Sequence, residues 1–264
     1  MLRSLRVDAS KLRELLEQVR AGGTPVDEAV AALRHMPFAD LGFATVDHHR
    51  ALRQGVPEVI YGEGKSPEQI AGIARELAKS GQNVMVTRMS AEKAARVLEM
   101  VPEMKYVQDA RIGAIEQAPI SPLGKVPAAL VTAGTSDLAV AEECAETMRM
   151  LGVPFERVYD VGVAGIHRLL HKKSALEKAS LVVVVAGMEG ALPTAVGGLV
   201  DVPVIAVPVN CGYGAALQGF TAMFCALTSC ASGVVVCNID NGFGAAFAAA
   251  RMMRAAARTA GERS

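Results

Sequence analysis

Hydrophobic positions recur in two textures along the chain, and the texture changes near residue 125. Upstream, short β-branched stretches alternate with amphipathic ones. PEVIYGEG (57–64) reads as a strand closed by a glycine turn, and SPEQIAGIARELAKSG (66–81) as a helix with Ser66 as its cap, Pro67 in its first turn and Gly81 past its end. NVMVTRM (83–89) is a strand, SAEKAARVLEMVP (90–102) a second capped helix, and YVQDARIGAIEQ (106–117) one more strand. Nearer the start, Asp8 or Ser10 can cap a helix reaching Arg20, and Thr24 with Pro25 opens another to Leu33. FADLGFATVDHHRALRQG (38–55) follows as an extended and then a helical stretch. The prolines of APISPLGKVP (118–127) mark a linker, so residues 1–125 form a small α/β domain and residues 126–264 a second one.

In that second domain the runs are short, apolar and evenly spaced: AALVTAG, FERVYDVG, LVVVVAG, VPVIAVPV and GVVVCNID. Each is bounded by Gly, Pro, Asp or Asn and followed by a Gly/Ala-rich helical segment, as a parallel sheet buried on both faces requires. The expected architecture is a doubly wound, parallel-sheet α/β/α sandwich. Ligands in such sheets bind at the carboxyl ends of strands, which here read TAGTSD, YDVGVAGIHR, AGMEGALP, PVNCGYGA and NIDNGFGA. All are polar and glycine-rich. Glycine there either relieves a tight turn or presents backbone N–H groups to an anion; the recurrence in every turn favours the anion.

Composition narrows the function classes. Lys plus Arg and Asp plus Glu are 27 each, without the basic footprint of a nucleic-acid binder, and the absence of Trp removes the usual stacking platform. No apolar run reaches the roughly 18 residues of a membrane span, and the first residues lack the apolar stretch of a signal peptide. The expected location is cytoplasmic. Five cysteines (Cys144, Cys211, Cys225, Cys230, Cys237) show neither CxxC pairing nor zinc spacing and read as free thiols. Cys144 and Cys225 fall in apolar helices and Cys237 in a strand, as small core residues do; Cys211 and Cys230 fall in loops, where a thiol can act as a nucleophile.

Candidate binding residues cluster at the strand ends. Ser136 and Asp137 either cap the next helix or face a ligand, and the two roles can coincide. Asp160 ends a strand, with His167 and Arg168 early in the helix after it, a placement suited to phosphate or carboxylate; His171 reads as surface. Glu189 follows four valines and a glycine, so it would be desolvated unless it serves as a cap, a metal ligand or a base. Gly187, Gly190, Gly212 and Gly214 are the turn glycines, Tyr213 either stacks on a flat ring or packs, and Asp240 with Asn241 marks a ligand contact or an ordinary turn.

These strings resemble two known families. A Ser-Asp pair after the first strand, a His-Arg pair after the second and glycine loops after the rest are similar to the phosphoribosylaminoimidazole carboxylases of purine biosynthesis. The closer resemblance, over nearly the whole chain, is to the LarB family, which starts assembly of the nickel-pincer cofactor of lactate racemase. FADLGFATVDHHRALRQGVPEVIYGEGKSPEQI resembles that family's amino-terminal signature, and VTAGTSD, YDVGVAGIHRLL, VVVVAGMEGALP, GYGA and SCASGVVVCNIDNGFGAA its carboxylase-like half. The purine carboxylases carry a histidine in the loop where this chain has Glu189, and they lack a thiol before the last strand. Cys211 departs from the LarB pattern, which has an apolar residue there.

The LarB resemblance implies carboxylation of the pyridinium ring of nicotinic acid adenine dinucleotide at C5 with CO2, and hydrolysis of its phosphoanhydride. The products are pyridinium-3,5-biscarboxylic acid mononucleotide and AMP. It also implies Mg2+, a homo-octamer built on the carboxylase-like domains, and no nucleic-acid or membrane partner. A pyridinium ring is too electron-poor to attack CO2. Addition of the Cys230 thiolate gives a dihydropyridine whose enamine carbon captures CO2, loses its proton and then expels the thiolate to restore aromaticity. Glu189 is the expected base or Mg2+-linked carboxylate for hydrolysis, with Ser136, Asp137, His167 and Arg168 positioning the nucleotide. Asp47, Arg50, Arg53, Glu58 and Lys65 contact the adenylate or a neighbouring subunit, or form a solvated face. The alternatives are an aminoimidazole ribonucleotide carboxylase or mutase, and a non-catalytic nucleotide-binding module.

Overall fold

The structure is a computed structural model that describes residues 9–33, 39–40, 42–46, 50, 56, 58–79 and 81–259. The chain divides into two compact units, one of Met1–Tyr106 with Arg111–Pro119 and one of Val107–Ala110 with Ile120–Ser264.

The first unit begins with helices α1 (Ala9–Arg20) and α2 (Val26–Leu33) and a short antiparallel pair, β1 (Ala39–Asp40) and β2 (Thr45–Val46). A second sheet follows, built from β3 (Val59–Tyr61), β4 (Val84–Thr87), β5 (Lys105–Val107) and β6 (Ile112–Ile115) in the order β3-β4-β6-β5. β3 and β4 are parallel, joined through α3 (Pro67–Ala78), while β4 and β6 are antiparallel, joined through α4 (Ala91–Met100) and β5. Ser66 caps α3 in a reciprocal box with Gln69. Ile70, Ile73, Ala74 and Leu77 on one face of that helix then pack on Val84 and Val86 of the sheet. YVQDARIGAIEQ is two strands rather than one: Arg111 takes a left-handed φ of 53° just before β6, doing the work that glycine does in most turns.

The second unit is a five-stranded sheet of β7 (Ala128–Thr132), β8 (Phe155–Val158), β9 (Val182–Ala186), β10 (Val204–Pro208) and β11 (Val234–Val236). Every pairing is parallel and the order is β11-β10-β9-β7-β8. The central β7, β9 and β10 are buried along their whole length, as their uninterrupted apolar runs require. β8 and β11 are edge strands with exposed positions, so FERVYDVG is a half-solvated edge rather than a buried run. Cys237 lies just past β11 and is half-buried, where a place inside the strand was expected.

Helices cover both faces. Leu169 of α6 (Ile166–His171), Leu176 of α7 (Lys173–Glu177) and Leu192 and Val196 of α8 (Leu192–Gly197) pack on Val131, Val182 and Val184. On the other face run α5 (Leu138–Met150) and α10 (Gly242–Thr259), with α9 (Phe220–Leu227) between β10 and β11 in sequence. α5 and α10 approach closely because their contact is made of Ala and Gly: a Cβ on Gly242 would collide with the Val140 carbonyl. Among the described residues, no helix is long and apolar enough to cross a membrane.

Candidate active site

In chain order β8 departs to one side of β7 and β9 to the other, so the carboxyl ends of β7 and β9 flank the switch point where doubly wound sheets bind ligands. A cavity of about 320 Å³ opens there, lined by the segments leaving β7, β8, β9 and β10.

Its centre is Asp137, only 2% exposed, on the 3-10 turn (Thr135–Asp137) that leads from β7 into α5. One carboxylate oxygen accepts the Gly134 N–H at 2.8 Å; the other accepts the Gly187 N–H at 3.2 Å, from the turn after β9. The Cys211 thiol, after β10, donates to the same oxygen at 3.5 Å, and the Ser136 hydroxyl donates to that sulfur at 3.6 Å. Burial raises the Asp137 pKa against the opposing pull of these donors. Burial likewise pushes the Cys211 thiol up, with Ser136 lowering it and the Asp137 charge raising it, which keeps sulfur protonated as a donor. Gly187 is required here because a Cβ would run into the Cys211 sulfur.

The turn after β8 supplies the cation. Asp160 has a left-handed φ of 58°, its N–H donates to Thr132 Oγ1 at 3.1 Å, and its carboxylate pairs with Arg168 at 2.6 Å. Arg168 sits over Gly165, where a Cβ would come 2.7 Å from its Nε. The turn after β9 places Met188 (φ 54°) and Glu189, both exposed, at the cavity rim. The conditional expectation that Glu189 would be desolvated is corrected: the left-handed turn puts it in solvent.

Ser136, Asp137, Asp160, Arg168, Gly187 and Glu189 are thus brought together, and Cys211 with them. The other expected residues lie outside the lining. His167 is exposed on α6, and Gly212, Tyr213 and Gly214 form an open loop in which Tyr213 is 85% exposed. Gly190 (φ 71°) is buried against Ala222 of α9. Asp240 accepts the Asn210 N–H at 2.8 Å and Asn241 caps α10 by accepting the Gly244 N–H at 2.8 Å, so both hold backbone. Cys230 is exposed where the chain enters β11, on the side of the sheet opposite the strand ends that form the cavity; its neighbour Ser229 bonds Thr194 of α8 at 2.8 Å. Arg50, Glu58 and Lys65 belong to the first unit, and Asp47 and Arg53 lie outside the described residues.

Four of the turn-glycine N–H groups bind the protein itself. Those of Gly134 and Gly187 bind Asp137, that of Gly162 binds the Ala133 carbonyl and that of Gly190 the Gly187 carbonyl. Arg168 and Ser136 line the same cavity, Arg168 paired with Asp160 and the Ser136 hydroxyl with the Cys211 sulfur. Met188, an apolar lining residue, carried no signal in the sequence.

Asp137→Asn tests this bracing. Both carboxylate oxygens accept a backbone N–H, so an amide must turn its NH2 toward one donor. The variant is expected to lose about 1–3 kcal/mol of stability, read as a lower urea midpoint at unchanged slope. An unshifted midpoint shows that the carboxylate does not brace the loops.

Two family models match the chain: "LarB/PurE-like N-terminal domain" over residues 38–117 and "AIR carboxylase" over residues 128–263. Among curated proteins, the uncharacterized protein MJ0165 of Methanocaldococcus jannaschii is 36% identical over 244 residues, 89% of this chain and 93% of that protein. The N5-carboxyaminoimidazole ribonucleotide mutase of the same organism is 35% identical over 97 residues, 36% of this chain and 57% of that protein. A crystal structure of a Treponema denticola PurE2 variant is 19% identical with a TM-score of 0.36, covering 52% of this chain and 96% of that one. The paired domain matches show that the chain belongs to the LarB family, with a carboxyl-terminal half of the AIR carboxylase type.

Proposed function

We propose that the chain carboxylates the pyridinium ring of nicotinic acid adenine dinucleotide with CO2 and hydrolyses the phosphoanhydride, yielding the biscarboxylated mononucleotide and AMP. The observation that carries this reading is the cavity at the switch point. At about 320 Å³ it lies at the small end of the ~300–1,000 Å³ ligand-pocket range, suited to a mononucleotide half. Arg168 on the cavity lining is the contact for an anionic group in this reading, and Glu189 stands at the rim where water reaches it. The loop after β9 carries Met188–Glu189 in place of a histidine, which separates this reading from an aminoimidazole ribonucleotide carboxylase or mutase.

Chemistry at Cys230 then requires a second copy of the chain. The thiol and the cavity belong to opposite ends of one sheet, so Cys230 enters the cavity of a neighbour. Phe220, Phe224 and Leu227, exposed at i, i+4 and i+7 on α9, form an apolar stripe leading to the Cys230 loop and suit a subunit contact. Light scattering is expected to give a mass well above the monomer, with the octamer as the proposed state; a monomer at micromolar concentration removes the proposal. Among the described residues no three His, Cys, Asp or Glu side chains gather to hold a metal. Mg2+ arriving with the substrate's diphosphate needs only one or two carboxylates besides phosphate oxygens and water, and Glu189 at the rim is the residue that would hold it.

The test is incubation of the purified protein with nicotinic acid adenine dinucleotide, bicarbonate and Mg2+, with mass-spectrometric detection of AMP and the biscarboxylated mononucleotide. Absence of both products overturns the reading. Turnover of aminoimidazole ribonucleotide instead would establish the purine-type activity, and binding without turnover a nucleotide-binding module.

A further inference from the structure

The first unit carries a cationic cluster that plays no part in the chemistry above. β3 and β4 are parallel and adjacent, and α3 and α4 both begin at their carboxyl ends. The turn after β3 (Gly62–Lys65) and the bend after β4 (Arg88–Ser90) meet there. The Gly62 N–H donates to the Thr87 carbonyl at 2.8 Å, and the Lys93 ammonium donates to the Gly62 and Glu63 carbonyls at 3.0 and 2.6 Å, which fixes the turn. The turn before β6 joins the group, because the Met89 N–H donates to the Arg111 carbonyl at 2.9 Å.

The side chains follow from that backbone. Tyr61, 48% exposed, donates its phenolic hydrogen to the Glu63 carboxylate, and the positive charge of Arg88 acts on the same phenol. The Tyr61 hydrogen bond, then the charges of Arg88, Arg111 and Lys93, hold the Glu63 carboxyl below its ordinary range. The charges of three cations thus act on one carboxylate. Arg88 and Arg111 have left-handed φ values of 52° and 53°, a conformation glycine takes freely and a bulky residue only under strain. Two strained arginines, whose turns are joined by the bond from the Met89 N–H to the Arg111 carbonyl, stand beside the carboxyl edge of two parallel strands, where anionic ligands bind in α/β sheets.

We propose that this edge is a second ligand site, in which Arg88 and Arg111 grip a phosphate ester or diphosphate, Glu63 and Tyr61 orient Arg88, and the Tyr61 ring flanks the ligand.

The backbone strain supplies the test. In the double variant Arg88→Gly, Arg111→Gly, glycine relaxes both positions, so thermal stability is expected to hold or rise while the guanidiniums are lost. Calorimetric titration of the full chain with pyrophosphate and with ADP is expected to show saturable binding that falls at least about tenfold in the double variant, the scale of one lost charge-assisted hydrogen bond. Arg168→Ala, which removes the cation of the other cavity, is expected to leave that binding in place. Tighter binding of ADP than of pyrophosphate identifies a nucleotide; equal binding identifies the phosphate groups alone. Three results overturn the proposal: no saturable binding of either probe to the wild type, unchanged binding in the double variant, or loss confined to Arg168→Ala. None of them bears on turnover of nicotinic acid adenine dinucleotide.

Discussion

Replacing Cys230 by serine is expected to abolish carboxylation, by at least about a thousandfold or ~4 kcal/mol of barrier, while the fold and dinucleotide binding survive. The side chain is exposed, so exchanging sulfur for oxygen removes no buried contact and stability should stay within about 0.5 kcal/mol. What changes is the nucleophile: serine offers a hydroxyl in place of the thiol, so no soft sulfur anion is left to add to the ring. Cys211 is the competing thiol because it lies in the cavity itself. Its burial and its contact with Asp137 both disfavour the thiolate, which suits it to a bracing donor rather than to the nucleophile proposed at Cys230. Cys211→Ala should therefore retain carboxylation. Supply of Cys230 from a neighbouring copy adds a sharper outcome. Coexpressed Cys230→Ser and Arg168→Ala chains, each inactive alone, should recover part of the activity in mixed oligomers, where one copy's thiol meets another's intact cavity. Full carboxylation by Cys230→Ser, a substrate adduct mapped to the Cys211 peptide, or no recovery on mixing would each falsify this assignment.

How far the sequence carried depends on the range of the interactions involved. β7, β9 and β10 were legible because a strand buried on both faces must be apolar at every position, and their valines and isoleucines are. The edge strand in FERVYDVG was read as buried because its flanking valines and tyrosine hide the polar Glu156 and Arg157 at its centre. The β5–β6 turn was missed because no Gly or Pro marks it; Arg111 adopts the left-handed conformation instead. In the site, the strand-end rule located Ser136, Asp137, Asp160, Arg168, Gly187 and Glu189 around one cavity. What stayed hidden was long-range: the N–H of Gly187 meets Asp137 fifty positions away, and no local pattern shows that it is already engaged. The side of the sheet on which Cys230 lies was implicit in the sequence, since a loop preceding a parallel strand cannot share an edge with the loops that follow its neighbours.

Glu189→Gln is expected to slow phosphoanhydride cleavage by about 10²–10⁴-fold, the range of a lost general base, with much less effect on carboxylation and substrate affinity. The choice among the cavity's carboxylates follows from what each is doing. Asp137 has both oxygens occupied by backbone N–H groups, and Asp160 is paired with Arg168 at 2.6 Å. Glu189 has no hydrogen-bond partner shown among the described residues and lies in solvent at the rim, where an attacking water can reach it. Its backbone is nonetheless fixed: Met188 before it is left-handed, and Gly190 after it has φ 71° and is wedged against Ala222. A carboxylate on a rigid turn with a free side chain is suited to taking a proton from water as it attacks phosphorus. Glutamine keeps the shape and removes that basicity, and an exposed substitution should leave stability within about 0.5 kcal/mol. AMP release and incorporation of labelled bicarbonate, followed on the same sample, separate the two reactions. Unchanged AMP release shows that the base lies elsewhere, and equal loss of affinity and both activities shows that Glu189 shapes the loop rather than the chemistry.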